Sequence, residues 1–166
     1  MNAIDIAIKM ETDAINFYKT ASEKVNHLVG KKMFLTIAED EKRHLDMLTQ
    51  IFKGLDLTIL DVSPMNNIKT VFEEMKDEMM ERVEATQDEL EAFRIAMDME
   101  KKGITFYKKE ALEAGTNKEK ALFERLVHEE EQHYNIFANT YFFLSDTGNW
   151  FMGEEHTIFD GGTPWA

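Results

Sequence analysis

The sequence predicts an all-α fold: a four-helix bundle of two repeated helical hairpins joined by a long crossover. Three observations predict it. Apolar residues recur in alternating steps of three and four along four long segments. The two halves of the chain align on each other at a spacing of 89 residues. Each half carries a Glu-x-x-His within its apolar stripe, Glu41–His44 and Glu130–His133.

The first helix is expected from about Asn2 to Val25, with Ile4, Ile8, Glu11, Ile15, Tyr18, Ser22 and Val25 on one stripe. A surface glutamate has no reason to sit at Glu11, in the middle of that stripe. After a break at Asn26-His27, a second helix is expected from Leu28 to Phe52. Its stripe is Phe34, Ile37, Glu41, His44, Leu48 and Ile51, and Gly54 closes it. The crossover, 54–87, contains a start signal at Ser63-Pro64 and an extra helix over about 65–83. Thr86-Gln87-Asp88-Glu89 reads as a capping box opening a third long helix to Ala114, with Gly115 as its left-handed terminator. Its stripe holds Phe93, Met97, Glu100, Ile104, Tyr107 and Ala111. Thr116-Asn117-Lys118-Glu119 is a second capping box, and the last helix runs to Leu144 with Phe123, Leu126, Glu130, His133 and Phe137 inward. These elements form one domain over 1–145, with hairpins 1–53 and 88–145. An irregular aromatic tail over 146–166 is expected to pack on the bundle or on a second subunit.

Composition narrows the function. A net charge of −13 argues against nucleic acid or an anionic membrane as partner. The absence of cysteine excludes disulfides, thiolate zinc sites and cysteine-ligated iron centres within these residues. There is no apolar run long enough to span a bilayer and no signal-like N-terminus, so the expected compartment is the cytoplasm.

The repeat turns two short motifs into a site. Thirteen residue pairs are identical at the 89-residue offset, among them Glu11/Glu100, Tyr18/Tyr107, Glu41/Glu130 and His44/His133. Counted from the hairpin turns at a rise of about 1.5 Å per residue, Glu11 comes level with Glu41–His44, and Glu100 with Glu130–His133. Glu and His three apart share a helix face. Four buried carboxylates without compensation would be very costly. Two divalent cations balance them, and two imidazoles complete a ligand set suited to iron or manganese. The metal ligands are therefore expected to be Glu11, Glu41, His44, Glu100, Glu130 and His133. Tyr18 and Tyr107 lie two turns beyond Glu11 and Glu100, and helical side chains lean toward the N-terminus. Each phenol is placed to reach a ligand carboxylate, the alternative being core packing with the hydroxyl on a backbone carbonyl. His27, His128 and His156 read as surface or structural histidines, and the methionines at 75, 79, 80, 97 and 99 as core filling. In the acidic runs 39–41 and 129–131, one member is expected to turn inward and the rest to face solvent.

As a set, Met10-Glu11…Phe17-Tyr18, Glu41-Lys42-Arg43-His44, Met99-Glu100…Phe106-Tyr107 and Glu130-Glu131-Gln132-His133 resemble the rubrerythrin-like members of the ferritin-like superfamily. The resemblance covers 1–145. It implies a ferritin-like bundle, usually a homodimer, with two iron ions on the six residues above and the paired tyrosines at Tyr18 and Tyr107. It also implies reduction of hydrogen peroxide, or oxidation of ferrous iron by peroxide or oxygen. Rubrerythrins carry an extra glutamate one turn after the third-helix ligand; here that position is Gly103. Their rubredoxin domain needs four cysteines, which this chain lacks, so an external electron donor such as a rubredoxin is expected. Three functions fit: a di-iron peroxide or oxygen reductase, an iron-handling ferroxidase, or a non-catalytic bundle holding structural zinc or manganese.

Overall fold

The computed structural model describes residues 2–54, Pro64 and 85–146. They form four long helices: α1 (Ala3–Lys24), α2 (Leu28–Phe52), α3 (Gln87–Glu113) and α4 (Asn117–Ser145). The expected crossover helix and aromatic tail lie outside the described residues. No helix among the described residues is long and apolar enough to cross a membrane.

The helix ends show which local signals act. Asn2 accepts from the Asp5 amide while Asp5 accepts from the Asn2 amide, a closed capping box that starts α1. Thr86 and Thr116 cap α3 and α4 by accepting from the amides of Glu89 and Glu119. Neither of those boxes closes as expected. The Glu89 carboxylate accepts instead from the Asn26 amide in the first hairpin turn, and Glu119 from the Gly115 amide. Gly54, at φ 69°, is the left-handed residue after α2. Gly115 is not its counterpart. Ala114 ends α3 by turning to extended backbone (φ −59°, ψ 133°), so no left-handed residue is required there.

Contacts between the stripes set the helix directions. Tyr18 meets Phe34 while Glu11 meets His44, so α1 and α2 run in opposite directions. Tyr107–Phe123 and His133–Glu100 do the same for α3 and α4. Tyr18 reaches Glu100 and Tyr107 reaches Glu11, so α1 also opposes α3. Consequently α2 and α3 are parallel, the arrangement that a connection spanning the bundle's length allows.

The core is split into two clusters, one at each end of the bundle. Tyr18, Phe34, Phe93 and Phe137 anchor one, with Phe34 and Phe93 ring centroids 4.6 Å apart. Tyr107, Phe123, Ile4 and Leu48 anchor the other. The 89-residue repeat maps the four residues of one cluster onto the four of the other. Gly30 in α2 shows how tightly the first is packed. A Cβ there would lie 2.9 Å from Val25 and 3.3 Å from the Phe93 ring. Each buried large side chain contributes about 1.5–3 kcal/mol. The two clusters clamp a polar layer between them, and that layer is the site.

Candidate metal centre

All six predicted residues converge in this layer, each no more than 3% exposed. Helix periodicity brings Glu41 and His44 to one face of α2, and Glu130 and His133 to one face of α4. Glu11 and Glu100 enter from α1 and α3. The side chains fall into two four-residue groups: Glu11, Glu41, His44 and Glu130, and Glu41, Glu100, Glu130 and His133. Glu41 and Glu130 belong to both.

The distances have a two-fold pattern. His44 Nδ1 lies 2.8 Å from Glu41, 3.2 Å from Glu130 and 3.8 Å from Glu11. His133 Nδ1 lies 3.2 Å from Glu130, 3.3 Å from Glu41 and 3.7 Å from Glu100. The imidazole rings are near-parallel, 5.4 Å apart. On the cluster side, His44 Nδ1 and Glu41 Oε2 are buried without a hydrogen bond of proper geometry, despite their proximity. Such groups aim at a shared point rather than at one another. With metal–ligand bonds of about 2.1 Å, neighbouring ligands around an octahedral ion lie about 3 Å apart. The observed spacings bracket that value, so the residues fit two ions with Glu41 and Glu130 between them.

Electrostatics give the same picture. Burial, reinforced by Glu41, raises the Glu11 carboxyl to about 7. Burial and Glu130 raise Glu100 to about 8. Burial alone would depress both imidazoles, but the surrounding carboxylates outweigh it and hold both well above the ordinary histidine value. Without metal, protons supply the positive charge that the cluster requires.

An outer ring steadies these groups. Tyr18 donates to Glu100 Oε1 at 2.5 Å, and Tyr107 donates to Glu11. Each tyrosine therefore serves the carboxylate of the other hairpin, and neither hydroxyl turns to a backbone carbonyl. Burial and these carboxylates raise both phenols well above the ordinary value, keeping them protonated donors. The outer imidazole nitrogens face carboxylates, with hydrogen-bond geometry at His133 only. His133 Nε2 lies 3.2 Å from Asp40, and His44 Nε2 lies 3.4 Å from Glu129. A carboxylate there orients the ring and selects the tautomer that leaves Nδ1 for a metal.

Asp40 and Glu129 correct the expected pattern of the acidic runs. Two members of each run turn inward, not one: Asp40 with Glu41, and Glu129 with Glu130. Only Glu39 and Glu131 face solvent. Asp40 and Glu129 are one turn before the two histidines and exactly one repeat apart, a signal the identity comparison passes over because their types differ. They are buried at bearable cost because Arg43 joins them. It donates to both Glu129 oxygens and reaches Asp40 at 3.4 Å, and Arg125 adds a 2.8 Å bond to Glu129. Burial pushes both acids upward, but the imidazoles and arginines outweigh it and hold them below the usual carboxylate range. The two-fold pattern fails at this ring: Gln132 and Thr36 replace the two arginines at the equivalent positions.

Of the other histidines, His27 occupies the position before α2 without a side-chain capping bond and packs its ring against Phe143. His128 lies exposed beside Gln132. His156 is outside the described residues. Met97 and Met99 pack against the first core cluster, as expected of filling residues.

A four-helix bundle with a buried layer of four glutamates and two histidines, paired by an internal repeat, defines a ferritin-like carboxylate protein. The family model described as Rubrerythrin matches residues 2–141, and the chain belongs to that family. No curated protein and no solved structure matches it significantly.

Proposed function

We propose that the protein is a di-iron oxidoreductase that reduces hydrogen peroxide, or oxygen, with electrons from an external donor. The observation that carries this reading is the pair of groups sharing Glu41 and Glu130. Glu11 and His44 complete one metal site, and Glu100 and His133 complete the other. When bound, two iron ions supply one electron each toward cleavage of an O–O bond.

The chain's own residues do the rest. Glu11 and Glu100 hold protons near neutral pH and would release them on taking up a cation. Tyr18 and Tyr107 keep those carboxylates in place as their charge changes. Asp40 accepts from His133 Nε2 and Glu129 lies as a carboxylate beside His44 Nε2, so both would hold the Nδ1 atoms toward bound ions. The two apolar clusters exclude water above and below.

Anaerobic loading with ferrous iron followed by peroxide or oxygen tests the reading. Rapid ferric absorption at two irons per chain, with re-reduction by a rubredoxin, is the expected result. Many irons retained per chain would favour iron handling instead. Binding without any redox change would leave a structural metal bundle and overturn the proposal. Glu130→Ala is expected to weaken metal binding, and an unchanged stoichiometry and affinity would remove the site assignment.

A further inference from the structure

A cavity of about 190 Å³ opens on the carboxylate layer between α1 and α3. Beyond the cluster residues and the two tyrosines, its walls are Met10, Asp13 and Ala14 from α1 and Met99, Lys102 and Gly103 from α3. These are three repeat-related pairs, Met10/Met99, Asp13/Lys102 and Ala14/Gly103. The cavity therefore lies on the axis that relates the two metal groups and faces both equally. Its rim is wet, with the Asp13 and Lys102 side chains 57% and 74% exposed. The rest of its lining is methionine side chains and the two small residues on one hand and the cluster carboxylates on the other.

Gly103 needs a reason. It sits inside a helix, where glycine is less favourable than alanine. Its backbone is not left-handed. A Cβ there would meet only Glu130, at 3.8 and 3.9 Å, an ordinary contact. Neither conformation nor close packing requires glycine. What it preserves is open volume beside the cluster, and Ala14 preserves it from the facing helix.

That volume, which takes in the space bound ions would fill, exceeds what hydrogen peroxide occupies. A cavity of about 150 Å³ takes up a benzene molecule. A lining part apolar and part carboxylate suits an amphipathic occupant with its polar head toward the cluster. We infer that the cavity binds small organic hydroperoxides, with an alkyl group of about four carbons between Met10 and Met99. Ala14 and Gly103 set the size limit. The inference rests on the peroxide-reducing function proposed above. Breaking the RO–OH bond would take one electron from each of two bound ferrous ions, and two protons would complete an alcohol and a water. The external donor then returns both ions to the ferrous state.

Two experiments test it. The first compares oxidation of the ferrous protein by tert-butyl hydroperoxide and by hydrogen peroxide in wild type, Gly103→Leu and Ala14→Leu. Metal stoichiometry serves as the folding control. Wild-type rates within about tenfold of each other are expected, with the ratio of organic to inorganic peroxide falling tenfold or more in each variant. The second titrates zinc-loaded, redox-inert protein with tert-butanol and follows methionine methyl resonances. Shifts at Met10 and Met99 that vanish in the variants are expected. If hydrogen peroxide oxidises the iron but the organic peroxide is over a hundredfold slower, or the methyls do not move, the inference is overturned and the parent function stands. If neither peroxide oxidises the iron, both fall.

Discussion

Arg43 ties the outer ring together, so its removal gives the sharpest test of the polar layer. Arg43→Gln takes a cation with 13% side-chain exposure away from Glu129, exposed only 1%, and Asp40, exposed 5%. A charge pair at about 3 Å in an effective dielectric of about 20 has a gross attraction of roughly 5 kcal/mol. The net loss is smaller, because desolvation of the pair is relieved. Removing one partner of a buried pair typically costs about 3–5 kcal/mol. Arg125 remains on Glu129 at 2.8 Å, which places the loss at the lower end, about 3 kcal/mol. Urea unfolding of the metal-free protein measures it as a shift in midpoint at unchanged slope. Lys9→Gln is the control. Its pair with Asp13 is 67% and 57% exposed, so removal is expected to cost under about 0.5 kcal/mol. An Arg43→Gln loss as small as the control's would refute the claim that Arg43 neutralises a buried layer.

Other perturbations have equally definite outcomes. Raised folded values for Glu11 (about 7) and Glu100 (about 8) mean that the folded state favours their protonated forms. Stability is then lost as pH rises above the unfolded value of 4.5, until those folded values are passed. The raised imidazoles contribute stability that is full below 6.5 and lost at higher pH, so all four act in one direction. The metal-free Tm is expected to fall between pH 5 and 9, and the increment from added metal to grow; a flat metal-free profile would contradict this. Glu41→Ala, which removes an oxygen donor from both groups, is expected to reduce both metal equivalents, whereas Glu11→Ala reduces one, as metal titration would reveal. Tyr107→Phe leaves Glu11 without its donor and is expected to weaken metal binding roughly tenfold without unfolding the protein, measured by competition with a chelator. Phe34→Ala removes the centre of the larger cluster and is expected to cost about 3–5 kcal/mol in urea, with metal stoichiometry unchanged once folded.

Periodicity and the repeat made the bundle and its six convergent residues legible, because both report height along a helix and which face points inward. They do not report which helices are lateral neighbours. That is why the sequence places Tyr18 near a carboxylate but not that the carboxylate belongs to Glu100 across the α1–α3 seam. Asp40 was hidden for a different reason. It sits within an acidic run, and an acid beside a solvated acid looks solvated until the arginine that neutralises it is located. Gly115 and the two capping boxes show the limit of local signals. Tertiary partners such as the Asn26 amide claimed the Glu89 carboxylate, and Ala114 ended α3 without a left-handed residue.

The shared glutamates make the two hairpins hostages to each other. Glu11, Glu41 and His44 come from the first hairpin, but their group closes only with Glu130 from the second, and the reverse exchange completes the other group with Glu41. Half of this chain is thus not half of the site. Cations held in the layer would therefore add to the docking of the two hairpins, so bound metal is expected to strengthen the seam between the repeats.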